Sequence, residues 1–412
     1  MRRLVGLSIK GIRVLFREGP RSFYVRAQKA IKTRVLGLSV YLPVGNAEAM
    51  AVDWTDVASR PHEKITVKEG PLHIAWIMSP PSETSGGHQN LFRFIDFAEK
   101  AGHTCSVFFY TSSGVVVNID DMGKMLRDTA AYPNVKASIA NYDPARGVGD
   151  HTQALFATGW ETAYPVYLDP SFARRFYFVQ DFEPSFYPAG TEAVFAENTY
   201  HFGFHGITAG RWLATKLHDE YGMRTDFFDF GADPLHYSLL NRGRRDEIFF
   251  YARPPTARRG FELGVLALDQ FARENPEVTI NLAGWDVSNF NLPFRFKNHS
   301  GLAITELNEL YNRCAAGLVL SFSNMSLLPL ELMASGVIPV VNDAPNTRMV
   351  ADSPFISFVP PVPRAISRSL ADAVTRPDQT THAEQMAQSA KGAGWEVAAR
   401  QFVDAVERAM RG

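Results

Sequence analysis

Residues 321–341 read Ser321-Phe-Ser-Asn-Met-Ser-Leu-Leu-Pro-Leu-Glu-Leu-Met-Ala-Ser-Gly-Val-Ile-Pro-Val-Val341. The apolar run before this stretch, Gly317 to Ser321, has the length and character of a buried strand. It passes into a loop of small polar residues, and a helix over Leu330 to Ser335 opens near Pro329 with Glu331 in its first turn. Gly336 stops that helix, and Val337 to Val341 form another buried strand. Small residues between a strand and a helix start leave room for a ligand. A carboxylate in the first turn is favoured by the helix dipole alone, and it can also hold hydroxyl groups of a sugar.

The same alternation extends in both directions. Upstream, Glu247 to Ala252 reads as a strand, Phe261 to Glu274 as a helix, Val278 to Leu282 as a strand and Thr305 to Arg313 as a helix. An earlier series contains the strand His73 to Met78, a loop from Pro80 to Gly87, the helix Gln89 to Lys100 and the strand Thr104 to Tyr110. Apolar runs follow at Ala154 to Thr158, Arg175 to Gln180 and Phe202 to Thr208, with a clear helix at Arg211 to Tyr221. Two α/β series in tandem predict two doubly wound Rossmann-like domains facing across a cleft, with an N-terminal extension. The expected division is an extension and arm over 1–70, a first domain over 71–232, a second over 233–392, and a closing helix over 393–412 that returns to the first domain.

Composition is that of a globular chain. The 412 residues are 46% hydrophobic and 21% charged, which excludes a fibre or a disordered tail protein. No apolar stretch approaches the ~18 residues of a membrane span. Two cysteines, Cys105 and Cys314, cannot make a disulfide framework or a four-ligand zinc site, and a cytoplasmic location is the simplest expectation. The net charge of −1 conceals a split: residues 1–34 carry ten Lys or Arg against the single Glu18. On a helical projection Arg2, Arg3, Lys10, Arg13 and Arg17 fall on one side and Leu4, Val5, Ile9, Ile12, Leu15 and Phe16 on another. That pattern suits an anionic membrane surface, on the inner face of the cell membrane, or packing on the acidic remainder of the chain. The basic residues are not interleaved with a nucleic-acid-binding motif, so no nucleic acid partner is expected.

The loops after strands carry the chemistry. In Phe250-Tyr-Ala-Arg-Pro-Pro-Thr-Ala-Arg-Arg-Gly-Phe261, Arg253 follows a strand, and Arg258 and Arg259 precede a helix. Guanidinium forks beside a helix start suit a pyrophosphate, and a solvated loop would carry the same residues. In Arg175 to Glu183, the residues Gln180, Asp181 and Glu183 follow a strand and should face the cleft. Asp181-Phe-Glu183 superficially matches an aspartate-x-aspartate metal motif, so a magnesium reading has to be weighed against a metal-free one. Ser85-Gly86-Gly87 and Gly147-Val-Gly149 do not complete the Gly-x-Gly-x-x-Gly fingerprint, which disfavours a dehydrogenase.

Pro329-Leu330-Glu331, Met333-Ala334, Gly336 and Pro339-Val340-Val341 resemble the motif of the retaining family 4 nucleotide-sugar glycosyltransferases of the GT-B fold. The resemblance runs from about residue 72 to the end. It departs at the first glutamate of the family's Glu-x7-Glu motif, whose position holds Ser323. The stretch Phe176-Tyr-Phe-Val-Gln-Asp-Phe-Glu-Pro-Ser-Phe-Tyr-Pro188, with Ala196-Glu-Asn-Thr-Tyr200 and Arg211-Trp-Leu213, is similar to bacterial rhamnosyltransferases of the WsaF type. The resemblance implies transfer of L-rhamnose from dTDP-L-rhamnose to a cell-surface or lipid-linked glycan, with retention and without a metal or other cofactor. It places Arg253, Arg258 and Glu331 in catalysis. Donor binding falls to Arg253, Arg258, Arg259, Gly86, Gly87, Ser323, Leu330 and Glu331, and the acceptor side to His88, Trp160, Gln180, Asp181 and Glu183. Gln180 stands where family 4 members often carry histidine. A UDP- or GDP-sugar transferase, a sugar-nucleotide epimerase and a catalytically silent glycan-binding module share most of these features.

Overall fold

The computed structural model describes residues 42–63, 70–83, 85–300, 302, 304–391 and 394–411. The basic segment 1–34 therefore lies outside the described residues, as do parts of the arm and the junction at 392–393.

Two all-parallel sheets carry the chain. The first holds β1 (His73–Met78), β2 (Thr104–Phe109), β3 (Ser138–Asn141), β4 (Ala154–Ala157), β5 (Arg174–Val179), β6 (His205–Ala209) and β7 (Arg224–Phe228), in the order β3-β2-β1-β4-β5-β6-β7. The second holds β8 (Glu247–Tyr251), β9 (Thr279–Ala283), β10 (Lys297–His299), β11 (Cys314–Val319), β12 (Ile338–Asn342) and β13 (Ser357–Val359), in the order β10-β9-β8-β11-β12-β13. Each order reverses beside its first strand, between β1 and β4 and between β8 and β11. A crevice for ligands opens at such switch points. The fold is GT-B: two Rossmann-like domains with those crevices facing each other.

Strand sequences explain the sheets. Every residue of β4, β5, β6, β11 and β12 is buried, as expected for parallel strands covered on both faces. The edge strands β3, β10 and β13 have no fully buried residue, and their weaker apolar signal hides them from a pattern search. The helix Gly86–Lys100 buries Leu91, Phe92, Phe94, Ile95 and Ala98, a stripe at helical spacing. It begins three residues earlier than its periodicity suggests, so Gly86 and Gly87 belong to its first turn rather than to the preceding loop.

The last helix, Trp395–Arg411, packs on the first domain. Phe402 is fully buried there, with ring centroids 5.1 Å from Phe94 and 6.0 Å from Trp76. Its polar edge is tied to β7 and the turn after it, where Arg408 Nη2 donates to Asp226 at 2.8 Å and Gln401 Nε2 to Asp229 at 2.7 Å. Burial of this aromatic surface fixes the return crossing after the second domain.

Candidate active site in the interdomain cleft

The loop after β8 turns through the short helix Ala257–Arg259 and enters the helix Phe261–Glu274 at Gly260. Gly260 has φ +59, and a Cβ there would lie 2.7 Å from the Phe322 ring. Only glycine combines that left-handed turn with so close an approach. The turn delivers Arg258 and Arg259 to the loop after β11, where Phe322 N–H donates to Arg258 O at 2.9 Å.

Asp181, directly after Gln180 at the end of β5, reaches across the cleft to this loop. Its side chain is 10% exposed. Oδ1 accepts from Asn324 N–H at 2.7 Å and from Phe182 N–H at 2.9 Å. Oδ2 accepts from Ser323 Oγ at 3.1 Å and from Arg258 Nε at 3.2 Å, and Arg259 Nη2 lies 3.8 Å away. Asn324 replies from the other domain, its Nδ2 donating to Ala209 O at 2.7 Å and Gln180 O at 3.1 Å.

The three arginines are in different states. Arg259 is enclosed: Nη1 donates to Ser321 Oγ at 2.7 Å and Asn324 O at 3.3 Å. Burial pulls its pKa down, Asp181 opposes this, and Arg258 and Arg253 add to the depression. Arg258 lays its guanidinium over the Phe186 ring, 4.0 Å from the centroid, and spends only its Nε edge on Asp181. Its two terminal nitrogens have no hydrogen-bond partner among the described residues. Arg253 is half-exposed, makes one long bond to Gly284 O at 3.4 Å, and lies within 6.0 Å of the Trp285 and Tyr251 rings. Among the described residues Asp181 is the sole carboxylate paired with this trio, which leaves this part of the cleft positive. Guanidinium groups with free donors beside an enclosed third are a receptor for a phosphate-type anion.

Glu331 lies on the helix Leu328–Ala334, half-buried in the cleft wall. Burial raises its carboxyl to about 7, opposed by Arg93 and by a hydrogen bond with Tyr237. Arg93 comes from the first domain, on the helix Gly86–Lys100, and lies over the Trp395 ring at 4.1 Å. Sequence reading missed Arg93 because it sits on the polar side of an amphipathic helix, where an arginine needs no explanation. Leu330, beside Glu331, is buried and presents no polar group to a ligand.

Gln180, expected on the acceptor side, meets the Gly86-Gly87 turn expected on the donor side: Gln180 Nε2 donates to Gly87 O at 3.2 Å, and its Oε1 accepts from Asn90 Nδ2 at 3.1 Å. His88 is committed locally. Nε2 lies 2.8 Å from Ser79 O and Nδ1 2.7 Å from Ser85 Oγ, which assigns the Nε2-protonated neutral tautomer. Burial also lowers its pKa, so it fastens the 79–85 loop as a neutral ring.

Two acceptor-side expectations differ from the structure. Trp160 is 1% exposed, packed edge-on to Tyr164 and Tyr187, with Nε1 donating to Tyr187 OH at 3.0 Å. It belongs to the core. Glu183 is also buried, and its Oε2 accepts from Trp160 N–H at 2.6 Å and Tyr177 OH at 2.8 Å. Alternation after β5 does point residues toward the cleft, but Glu183 lies in the helical turn Glu183–Phe186, which rotates its side chain back under the domain. Glu183 and Asp181 therefore diverge, and among the described residues no three His, Cys, Asp or Glu side chains converge as metal ligands. Glu161, in the first turn of the helix Trp160–Leu168, was not singled out by sequence. Its pKa is raised by burial, and its charge in turn raises that of Glu183.

Residues 246–371 match the family model described as WsaF, C-terminal domain. The O-antigen biosynthesis protein RfbC of Myxococcus xanthus is 37% identical over 226 residues, covering 53% of this chain and 18% of that protein's own length. The chain thus spans less than a fifth of that relative. Among solved structures, HepE of Anabaena in complex with UDP and glucose aligns with a TM-score of 0.61 at 13% identity, over 82% of this chain and 100% of that one. Sucrose-phosphate synthase of Thermosynechococcus elongatus aligns with a TM-score of 0.60 at 14% identity, over 82% and 99%. TarM of S. aureus aligns with a TM-score of 0.64 at 7% identity, over 83% and 100%. These structural likenesses carry the GT-B architecture over about four-fifths of the chain.

Proposed function

We propose that this chain, which joins a WsaF-type C-terminal domain to a second Rossmann-like domain, is a glycosyltransferase of surface-polysaccharide biosynthesis using a nucleoside diphosphate sugar. The observation that carries the reading is Arg258, whose terminal nitrogens have no hydrogen-bond partner among the described residues, on the same loop after β8 as Arg253 at a GT-B switch point. When the nucleoside diphosphate leaves, negative charge grows on the phosphate nearest the sugar. Pre-placed guanidinium donors stabilise that charge more in the transition state than in the ground state. They supply the positive charge a metal would otherwise bring, so the transfer is proposed to be metal-independent; retention is proposed from the resemblance of the 329–341 stretch to retaining family 4 transferases. Glu331 is assigned to the nucleoside sugar, through its 3′-hydroxyl in a dTDP donor.

The donor is proposed to be dTDP-L-rhamnose and the acceptor a lipid-linked or cell-surface glycan. Support comes from the WsaF family match and from the O-antigen relative over half of the chain. The basic segment 1–34 is proposed to hold the enzyme against an anionic membrane on the cytoplasmic side. Its support is the charge pattern of the sequence.

The test incubates the protein with dTDP-L-rhamnose, UDP-sugars and GDP-sugars and lipid-linked acceptors, with and without a chelator, and identifies products by mass spectrometry. A rhamnosylated acceptor formed from dTDP-L-rhamnose at undiminished rate in the chelator is the expected result. Product from a UDP- or GDP-sugar alone replaces the donor, and conversion of donor without acceptor product marks an epimerase. Neither turnover nor nucleotide binding leaves a glycan-binding module.

A further inference from the structure

We infer that Asp181 is a positioning residue for the donor side: delivered from the opposite domain, its carboxylate assembles the anion-binding face of the second domain when the cleft closes. This rests on the nucleotide-sugar reading above.

The argument starts from how Arg258 is shared. A guanidinium has an Nε edge and a terminal edge, and binding a carboxylate through the first leaves the second free. Asp181 takes the Nε edge at 3.2 Å, Phe186 of the same domain supports the face at 4.0 Å, and the terminal nitrogens remain without a partner among the described residues. Both contacts that fix Arg258 thus come from the first domain. Without them a long side chain on a turn would sample several rotamers, and ordering it on ligand binding would cost affinity.

The second strand of argument is the 321–324 loop. Asp181 satisfies Asn324 N–H and Ser323 Oγ, while Asn324 Nδ2 reaches back to Gln180 O and Ala209 O. The loop therefore takes its shape from groups on both sides of the cleft. Asn346 Nδ2, donating to Ser321 O at 3.0 Å and also to Ser323 O, ties it from within its own domain. Opening the cleft would strip the loop of four interdomain hydrogen bonds and leave Arg258 and Arg259 without their shared counter-charge. A contact made only across the closed cleft would link domain closure to a competent phosphate site.

The isosteric Asp181→Asn variant keeps an acceptor for Asn324 N–H but removes the charge that orients Arg258. Asp181→Ala removes both. Binding of dTDP and UDP is measured by calorimetry for wild type, Asp181→Asn, Asp181→Ala, Arg258→Ala and the double variant Asp181→Asn with Arg258→Ala. The radius of gyration of each is measured by solution scattering. Expected are an affinity loss of tenfold or more in Asp181→Asn and little further loss when it is added to Arg258→Ala, because one residue acts through the other. Steady-state kinetics should show donor KM rising and kcat falling together. Asp181→Ala should also be more expanded in solution.

Unchanged nucleotide affinity in both Asp181 variants, or losses that simply add to that of Arg258→Ala, overturns the inference. A wild-type protein that binds neither nucleotide overturns the donor reading instead. In that case scattering still decides on Asp181, since an unaltered radius of gyration in Asp181→Ala removes its part in closure.

Discussion

The Glu183 carboxylate accepts the backbone N–H of Trp160 at 2.6 Å, closing the first turn of the helix Trp160–Leu168 from a position 23 residues downstream. Tyr177 OH donates to the same oxygen at 2.8 Å, and Tyr200 OH accepts Glu183 N–H at 3.1 Å. A residue whose spacing suggested a place in the cleft is thus a buried cap that holds one wall of it.

That cap makes stability depend on pH. Burial, reinforced by Glu161, raises the Glu183 carboxyl to about 8. In the unfolded chain it would ionise near an ordinary glutamate pKa of about 4.3. Between those values the folded state holds the extra proton, so stability falls as pH rises toward 8. The shifted histidines are all lowered and act at and below their ordinary pKa of about 6.5, while Glu331, raised to about 7, is present in both wild type and Glu183→Gln, so the comparison of the two isolates Glu183. Thermal unfolding from pH 7 to 8.5 should show the wild-type midpoint dropping relative to that of Glu183→Gln. Parallel curves would place the proton elsewhere.

Glu331, raised to about 7 by burial, titrates in the working range. An ionised carboxylate is the better acceptor for nucleoside hydroxyls. Donor KM should therefore fall as pH rises from 6 to 8, and Glu331→Gln should abolish that dependence while raising KM. A wild-type KM that is flat over this range removes Glu331 from donor binding.

Arg253→Ala should lower kcat/KM for the donor by about a hundredfold to a thousandfold, by analogy with ~2.7–4 kcal/mol for one lost oxyanion donor. Arg253 is half-exposed with one long hydrogen bond among the described residues, so the melting temperature should barely move. Turnover equal to wild type would show that Arg253 does not meet the leaving group.

Phe402→Ala should destabilise the protein by about 3–5 kcal/mol, the usual range for truncating a buried aromatic ring. Phe402 is fully buried against Phe94, Phe156 and Trp76, and it holds the last helix on the first domain. Chemical denaturation measures the loss, and a change below about 1 kcal/mol would mean that the crossing helix contributes little to folding.

Removing residues 1–34 should abolish flotation with anionic vesicles, while the intact chain floats with them and not with neutral ones. Flotation of the shortened protein equal to that of the intact one ends the membrane proposal.

The sequence alone determined the two α/β series, the buried parallel strands and the helix amphipathicity, because local propensity and periodicity are written in neighbouring residues. It also placed Arg253, Arg258, Gln180 and Asp181 after the carboxyl ends of strands. Edge strands such as β3 and β13, half-covered and short, left too little apolar pattern to read. Tertiary structure decided the partners. That Asp181 meets Arg258 and Asn324, that Glu331 faces Arg93, and that Glu183 turns inward to Trp160 depend on contacts 23 to 238 residues apart in the chain. Burial and charge pairing depend on neighbours in space, and spacing along the chain cannot supply them.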